Sequence, residues 1–149
     1  MITENKLHHI LGVARKAYQL AKDLGYDEEF ARNMFVLGWT HDIAYEFDDV
    51  NHPEVGMDIM YNFCGVNSNL IEEIGKHGFP MPENKVNIEY LILNCADLTV
   101  SPEGKPVTID ERIEEVGNRI DKNHPWYTNL RDTGLLVKRK FKELYNMDV

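Results

Sequence analysis

His41 and Asp42 stand side by side at the end of an apolar stretch, and Asp97 closes a second one. A buried carboxylate is costly unless a cation or hydrogen bonds satisfy it. His9, upstream, falls on the apolar face of another predicted helix. The His…His-Asp…Asp set reads as a metal site assembled inside a helical bundle. Neutral imidazole suits Fe, Ni, Co and Zn, and carboxylate suits harder ions such as Mn. A mixed set therefore takes a first-row divalent cation without selecting it sharply. Such a cation lowers the pKa of water and neutralises a phosphoryl oxygen, and both effects serve hydrolysis of a phosphate ester. Asp42 and His41 are the expected catalytic pair.

Taken one at a time, each His is better read as a satisfied core residue and each Asp as a helix-end cap. The set is harder to dismiss. Four of the six histidines, His9, His41, His52 and His77, fall on predicted apolar faces, as does Asp97.

The elements that must position these groups are helices. His9, Val13, Ala17, Leu20 and Leu24 share one face of a predicted helix from about Lys6 to Leu24, with Gly25 as its stop. His8 lies on a different face. A second helix starts near Asp27 and runs through His41-Asp42. Phe30, Met34, Leu37 and His41 form one stripe, and Ala31, Phe35, Gly38 and Asp42 the next. Val36, Trp39 and Ile43 widen the arc, so this helix is expected at the domain centre. Adjacent helical residues diverge by roughly 100°, so a shared ion would sit over the gap between the two stripes.

Tyr45–Asn51 is an acidic loop. Pro53 suits a first helical turn, with His52 at the start and Val55, Gly56, Ile59 and Phe63 in phase. Asn67 or Ser68 caps a fourth helix that presents Leu70, Ile74 and His77. A fifth, about Val86 to Thr99, carries Tyr90, Leu93 and Asp97. Thr108 and Glu111 form a capping-box pattern before the stripe Ile109, Ile113, Val116 and Ile120. The last helix runs to about Tyr145 with Leu130, Val137, Phe141 and Leu144 inside, weakened by Gly134. His124 reads as a turn residue, and Trp39 and Trp126 as packing residues rather than substrate stackers. No segment alternates as a strand does. The expected fold is all-α, a compact bundle of about six to seven helices in one domain spanning residues 1–149.

The composition is 43% hydrophobic and 28% charged, ordinary for a globular chain, and the net charge is −9. That charge excludes long nucleic acid as an expected partner, since such binding needs Lys and Arg on phosphates. No apolar run approaches the roughly 20 residues of a membrane span, and no leader pattern opens the chain. Cys64 and Cys95 lack CxxC spacing and are expected as free thiols in the cytoplasm.

Taken in order, His9-x-x-x-Val13, the run ending in Thr40-His41-Asp42-Ile43, and Ala96-Asp97 resemble the HD-domain superfamily of all-α, metal-dependent phosphohydrolases. The resemblance covers roughly the first hundred residues and implies that His9, His41, Asp42 and Asp97 ligate one metal. His52-Pro53-Glu54-Val55-Gly56 and Ile74-Gly75-Lys76-His77 are similar to elements of members with more than one metal. They imply His52 and His77 as ligands of a second ion, bridged by Asp42. Gly78-Phe79-Pro80 stands where the cyclic-dinucleotide branch carries Gly-Tyr-Pro, which sets this chain apart from it.

The sequence thus points to a phosphohydrolase that acts on a small phosphorylated metabolite, a nucleotide foremost, through metal-activated water. Lys76 and Arg112 are candidate phosphate-binding cations, although a solvated surface charge accounts for either. Two other readings share the site: a diiron oxygenase on an HD-type fold, and a non-catalytic nucleotide-binding regulatory module.

Overall fold

The computed structural model describes residues 2–45, 51–62 and 69–149. Among these are seven α-helices: α1 Glu4–Asp23, α2 Glu28–Thr40, α3 His52–Asn62, α4 Ile71–Lys76, α5 Ile88–Leu98, α6 Ile109–Arg119 and α7 Pro125–Tyr145. The only β feature among them is an isolated bridge between Val100 and Pro106. The fold is all-α, as the periodicity requires. Cys64, Phe63, the Asn67 and Ser68 cap and the acidic stretch 46–50 lie outside the described residues.

Local chemistry sets most of the helix ends. The Thr3 hydroxyl accepts from Lys6 N–H at the start of α1, and the Asp27 carboxylate from Phe30 N–H at the start of α2. At α1's end Gly25 turns left-handed, with φ +88°. Tyr26 N–H then reaches back to Ala21 C=O at 3.0 Å. Thr108 and Glu111 form both halves of the capping box on α6. His124, expected as a turn residue, caps α7: its Nδ1 accepts from Trp126 N–H, and Pro125 occupies the first turn.

The central helix is α5, not α2. Every residue from Tyr90 to Ala96 is buried, and α5 packs on α1, α2, α4, α6 and α7. Helix α2 buries Ala31, Met34, Leu37 and Gly38 but leaves Val36 and Trp39 exposed at 56% and 46%. Its apolar arc is therefore narrower than its composition suggests, and Trp39 stacks on Phe35 at the surface. Trp126 and Leu144 are also exposed, against expectation. Cys95 is buried in the core, and burial pushes its thiol up to about 12. No helix among the described residues is long and apolar enough to cross a membrane.

Two glycines let helices approach. A Cβ on Gly134 would lie 2.9 Å from the Ile109 side chain and 3.1 Å from that of Ile113. This residue is thus a contact between α6 and α7 rather than a weak point. A Cβ on Gly38 would stand 2.8 Å from Ala14 Cα and 3.0 Å from its N. That clash is with backbone and cannot be relieved by a rotamer change. Gly38→Ala should therefore push α1 and α2 apart at a cost of about 1–3 kcal/mol. A thermal melt should show the midpoint falling by several degrees; an unchanged midpoint would mean the crossing is loose.

Candidate metal centre

Five separate parts of the chain deliver the ligand-type side chains. His9 comes from the middle of α1. His41 and Asp42 follow directly on α2, which stops at Thr40. The stop has a local cause. The Thr40 hydroxyl donates to Val36 C=O at 2.8 Å, and His41 Nδ1 donates to Gly38 C=O at 2.6 Å. Tight turns carry residues 41–45, with Tyr45 N–H on Asp42 C=O. The HD pair is thus freed from helical spacing, and both side chains can face one point.

His52 opens α3, with Pro53 next to it and buried. His77 follows α4 in an extended conformation, and Gly78 turns left-handed with φ +79°. Helix α5 clamps this turn: Asn94 Oδ1 accepts from Gly78 N–H at 2.8 Å, and Tyr90 OH donates to Phe79 C=O at 2.5 Å. One turn beyond Asn94, Asp97 enters the same cluster.

The tautomers are set by backbone. A carbonyl can only accept, so the rings bonded to carbonyls through Nδ1 must carry the proton there. His9 Nδ1 donates to Ser101 C=O at 2.9 Å, His41 to Gly38 C=O at 2.6 Å and His77 to Ile74 C=O at 2.5 Å. In the neutral rings, each Nε2 is then a bare lone pair aimed at the cluster. This is the orientation that backbone partners impose on metal-ligating histidines.

Asp42 is at the centre. Its Oδ1 lies 3.1 Å from His52 Nε2 and 3.4 Å from His77 Nε2. Its Oδ2 lies 3.4 Å from His41 Nε2 and 3.9 Å from His9 Nε2. Asp97 Oδ1 stands 3.0 Å from His9 Nε2 and 3.4 Å from His41 Nε2. His52 and His77 bring their Nε2 atoms within 3.1 Å of each other.

The donor set fits a cation. Neighbouring ligands at about 2.0–2.1 Å from one ion lie roughly 2.8–3.4 Å apart in octahedral or tetrahedral geometry, and most of these separations fall in that range. His41 Nε2 is buried and has no hydrogen-bond partner among the described residues. His9, His41 and Asp97 form one group that could hold an ion, and His41, Asp42 and His77 another. The carboxylates are ionised. Burial pushes Asp42 up, but His41, His52, His77 and Lys6 outweigh it and hold the group well below the usual carboxylate range. Burial likewise opposes Asp97, and His41 and His9 outweigh it. Two buried anions need positive charge here, either from Nε2 protons on these rings or from an ion that takes their place.

The cluster lines a cavity of about 690 Å³ together with Phe79, Pro102, Arg112, Ile120 and Trp126. Of the two candidate phosphate-binding cations, Arg112 lines this cavity. Lys76 instead pairs with Glu73 at 2.7 Å. Sequence reasoning missed Lys6. Its Nζ reaches Asp42 Oδ2 at 2.5 Å, and it lies 3.6 Å above the Tyr45 ring centroid. The signal was available, since Lys6 is one turn before His9 on the same face of α1. Asn94 was also missed; a polar residue in the apolar run of α5, three positions before Asp97, marks it.

The family model described as HD domain matches residues 7–123 of the chain. No curated protein and no solved structure matches.

Proposed function

This chain belongs to the HD-domain family, mostly metal-dependent hydrolases, and on that premise we propose that it is a single-domain cytoplasmic phosphohydrolase acting on a small phosphorylated metabolite, a nucleotide foremost. The carrying observation is the convergence of four imidazoles and two carboxylates beside one cavity, three of the rings with their Nδ1 protons already committed to backbone carbonyls.

In this reading His9, His41, Asp42 and Asp97 hold one divalent ion, and His52 and His77 complete a place for a second with Asp42 between them. A divalent ion there supplies an acidified water and neutralises charge on a phosphoryl oxygen. The remaining work belongs to the chain. Ser101, Gly38 and Ile74 carbonyls hold the rings in the ligating tautomer. Lys6, on the cavity side of Asp42, offers a cation where a phosphate oxygen would come to rest. Burial of Asp42 and His41 at 7% and 0% exposure keeps bulk water from competing for them.

The test couples elemental analysis of purified protein to a hydrolysis screen across phosphate esters. The expected result is bound first-row metal, phosphate release from a nucleotide and loss of that activity on chelation. Oxygen uptake with a mixed-valence EPR signal, and no phosphate release, would move the site to the oxygenase reading.

A further inference from the structure

The cavity lined by the ligand-type residues is also lined by a second set of residues, from α6 and α7, with a chemistry of its own. Arg112 from α6 and Trp126 and Asn129 from α7 line it, with apolar surface from Phe79, Ile120 and Leu130. The α7 residues lie beyond position 123, where the family match ends.

Two features mark this wall as built for a ligand. Trp126 is a large aromatic left 38% exposed, although the His124 cap and Pro125 fix the helix that carries it. The guanidinium of Arg119 lies 5.1 Å from the Trp126 ring centroid, so one neighbour braces the indole while it lines the cavity. Arg112 is a largely buried cation, with its side chain 11% exposed. Its Nη1 donates to Glu115 at 2.8 Å; its Nε finds no acceptor among the described residues but is enclosed, so a ligand in the cavity would meet the remaining donors. A guanidinium carries five N–H donors, and leaving them unsatisfied inside a protein is unfavourable.

We infer that the α6–α7 wall is a base-recognition subsite, in which a purine stacks on Trp126 and Arg112 donates to an acceptor on the base edge. The inference rests on the reading that the cavity takes a phosphorylated metabolite. A planar heterocycle with ring nitrogen and carbonyl acceptors matches both features at once. A sugar phosphate lacking the base would leave the indole uncovered and Arg112 unanswered.

The experiment uses metal-loaded protein and nucleosides, which carry no phosphate and cannot be turned over. With two tryptophans in the chain, Trp39→Phe leaves Trp126 as the sole indole reporter. Adenosine and guanosine should quench its fluorescence saturably, and ribose should not. In calorimetry, Trp126→Leu and Arg112→Gln should each weaken nucleoside binding by roughly tenfold, with metal content at the wild-type level. Absence of saturable quenching, or nucleoside affinity unchanged in both variants, overturns the subsite. The phosphohydrolase reading fails separately: protein that binds nucleoside yet leaves every phosphate ester intact keeps the subsite and loses the hydrolase.

Discussion

Asp42→Ala should leave the protein with little bound metal and, with it, little or no hydrolysis. The two oxygens of Asp42 face different histidine groups, Oδ1 toward His52 and His77 and Oδ2 toward His41 and His9. Removing it withdraws a negative charge from the middle of the donor set and leaves Lys6 without its carboxylate partner. Loss of a group that merely orients a metal ligand typically lowers affinity or activity by about 10–100-fold, and loss of a ligand should do at least as much. Metal content should therefore drop toward background and the rate by at least about a hundredfold. Asp42→Asn keeps the volume and one oxygen, so it separates the charge from the packing. Circular dichroism distinguishes either result from unfolding. Wild-type metal content in both variants would remove Asp42 from the ligand set.

The route from sequence to site was uneven for physical reasons. His9 was legible because α1 is regular for 20 residues, and one helical period links it to Val13, Ala17 and Leu20. Asp97 was legible for the same reason on α5. Periodicity keeps His41 and Asp42 on α2, whereas the structure puts them just beyond its end. Periodicity extends a helix until a proline or glycine interrupts it. Here α2 is ended by Thr40 and His41 bonding back to their own helix, which no spacing rule detects. Phase puts His52 and His77 on apolar faces, but only the short family-like elements suggest them as ligands, since each stands at the end of its helix rather than within one. The centrality of α5 over α2 was missed because composition counts apolar residues without saying which neighbours cover them. Val36 and Trp39 are apolar and uncovered. Trp126 is a further case of the same kind: an aromatic in an amphipathic helix reads as buried, and the structure leaves it 38% exposed.

The sharper division within the site is between one ion and two. His52 and His77 approach Asp42 Oδ1 from α3 and from the turn after α4, and the three atoms are mutually 3.1, 3.1 and 3.4 Å apart. His77 has its Nδ1 proton on Ile74 C=O, so its Nε2 faces His52 as a lone pair in the neutral ring. Two imidazole nitrogens at that separation need either a shared proton or a cation between them. If it is a cation, His52→Ala and His77→Ala should each lower the metal content by about one ion per chain while the His9, His41 and Asp97 side keeps its own. Hydrolysis should fall in parallel, because a two-ion clamp stabilises both the attacking and the leaving oxygen. His52 is the cleaner position, since it starts its helix beside Pro53 and is 15% exposed, whereas truncating buried His77 also opens a cavity. His77→Gln guards against that effect by keeping most of the volume and a polar end. Should His52→Ala and His77→Gln both retain wild-type metal content and rate, the proton is the correct answer. The pair would then be a structural hydrogen bond fastening α3 to the turn after α4, beside a site that holds a single ion.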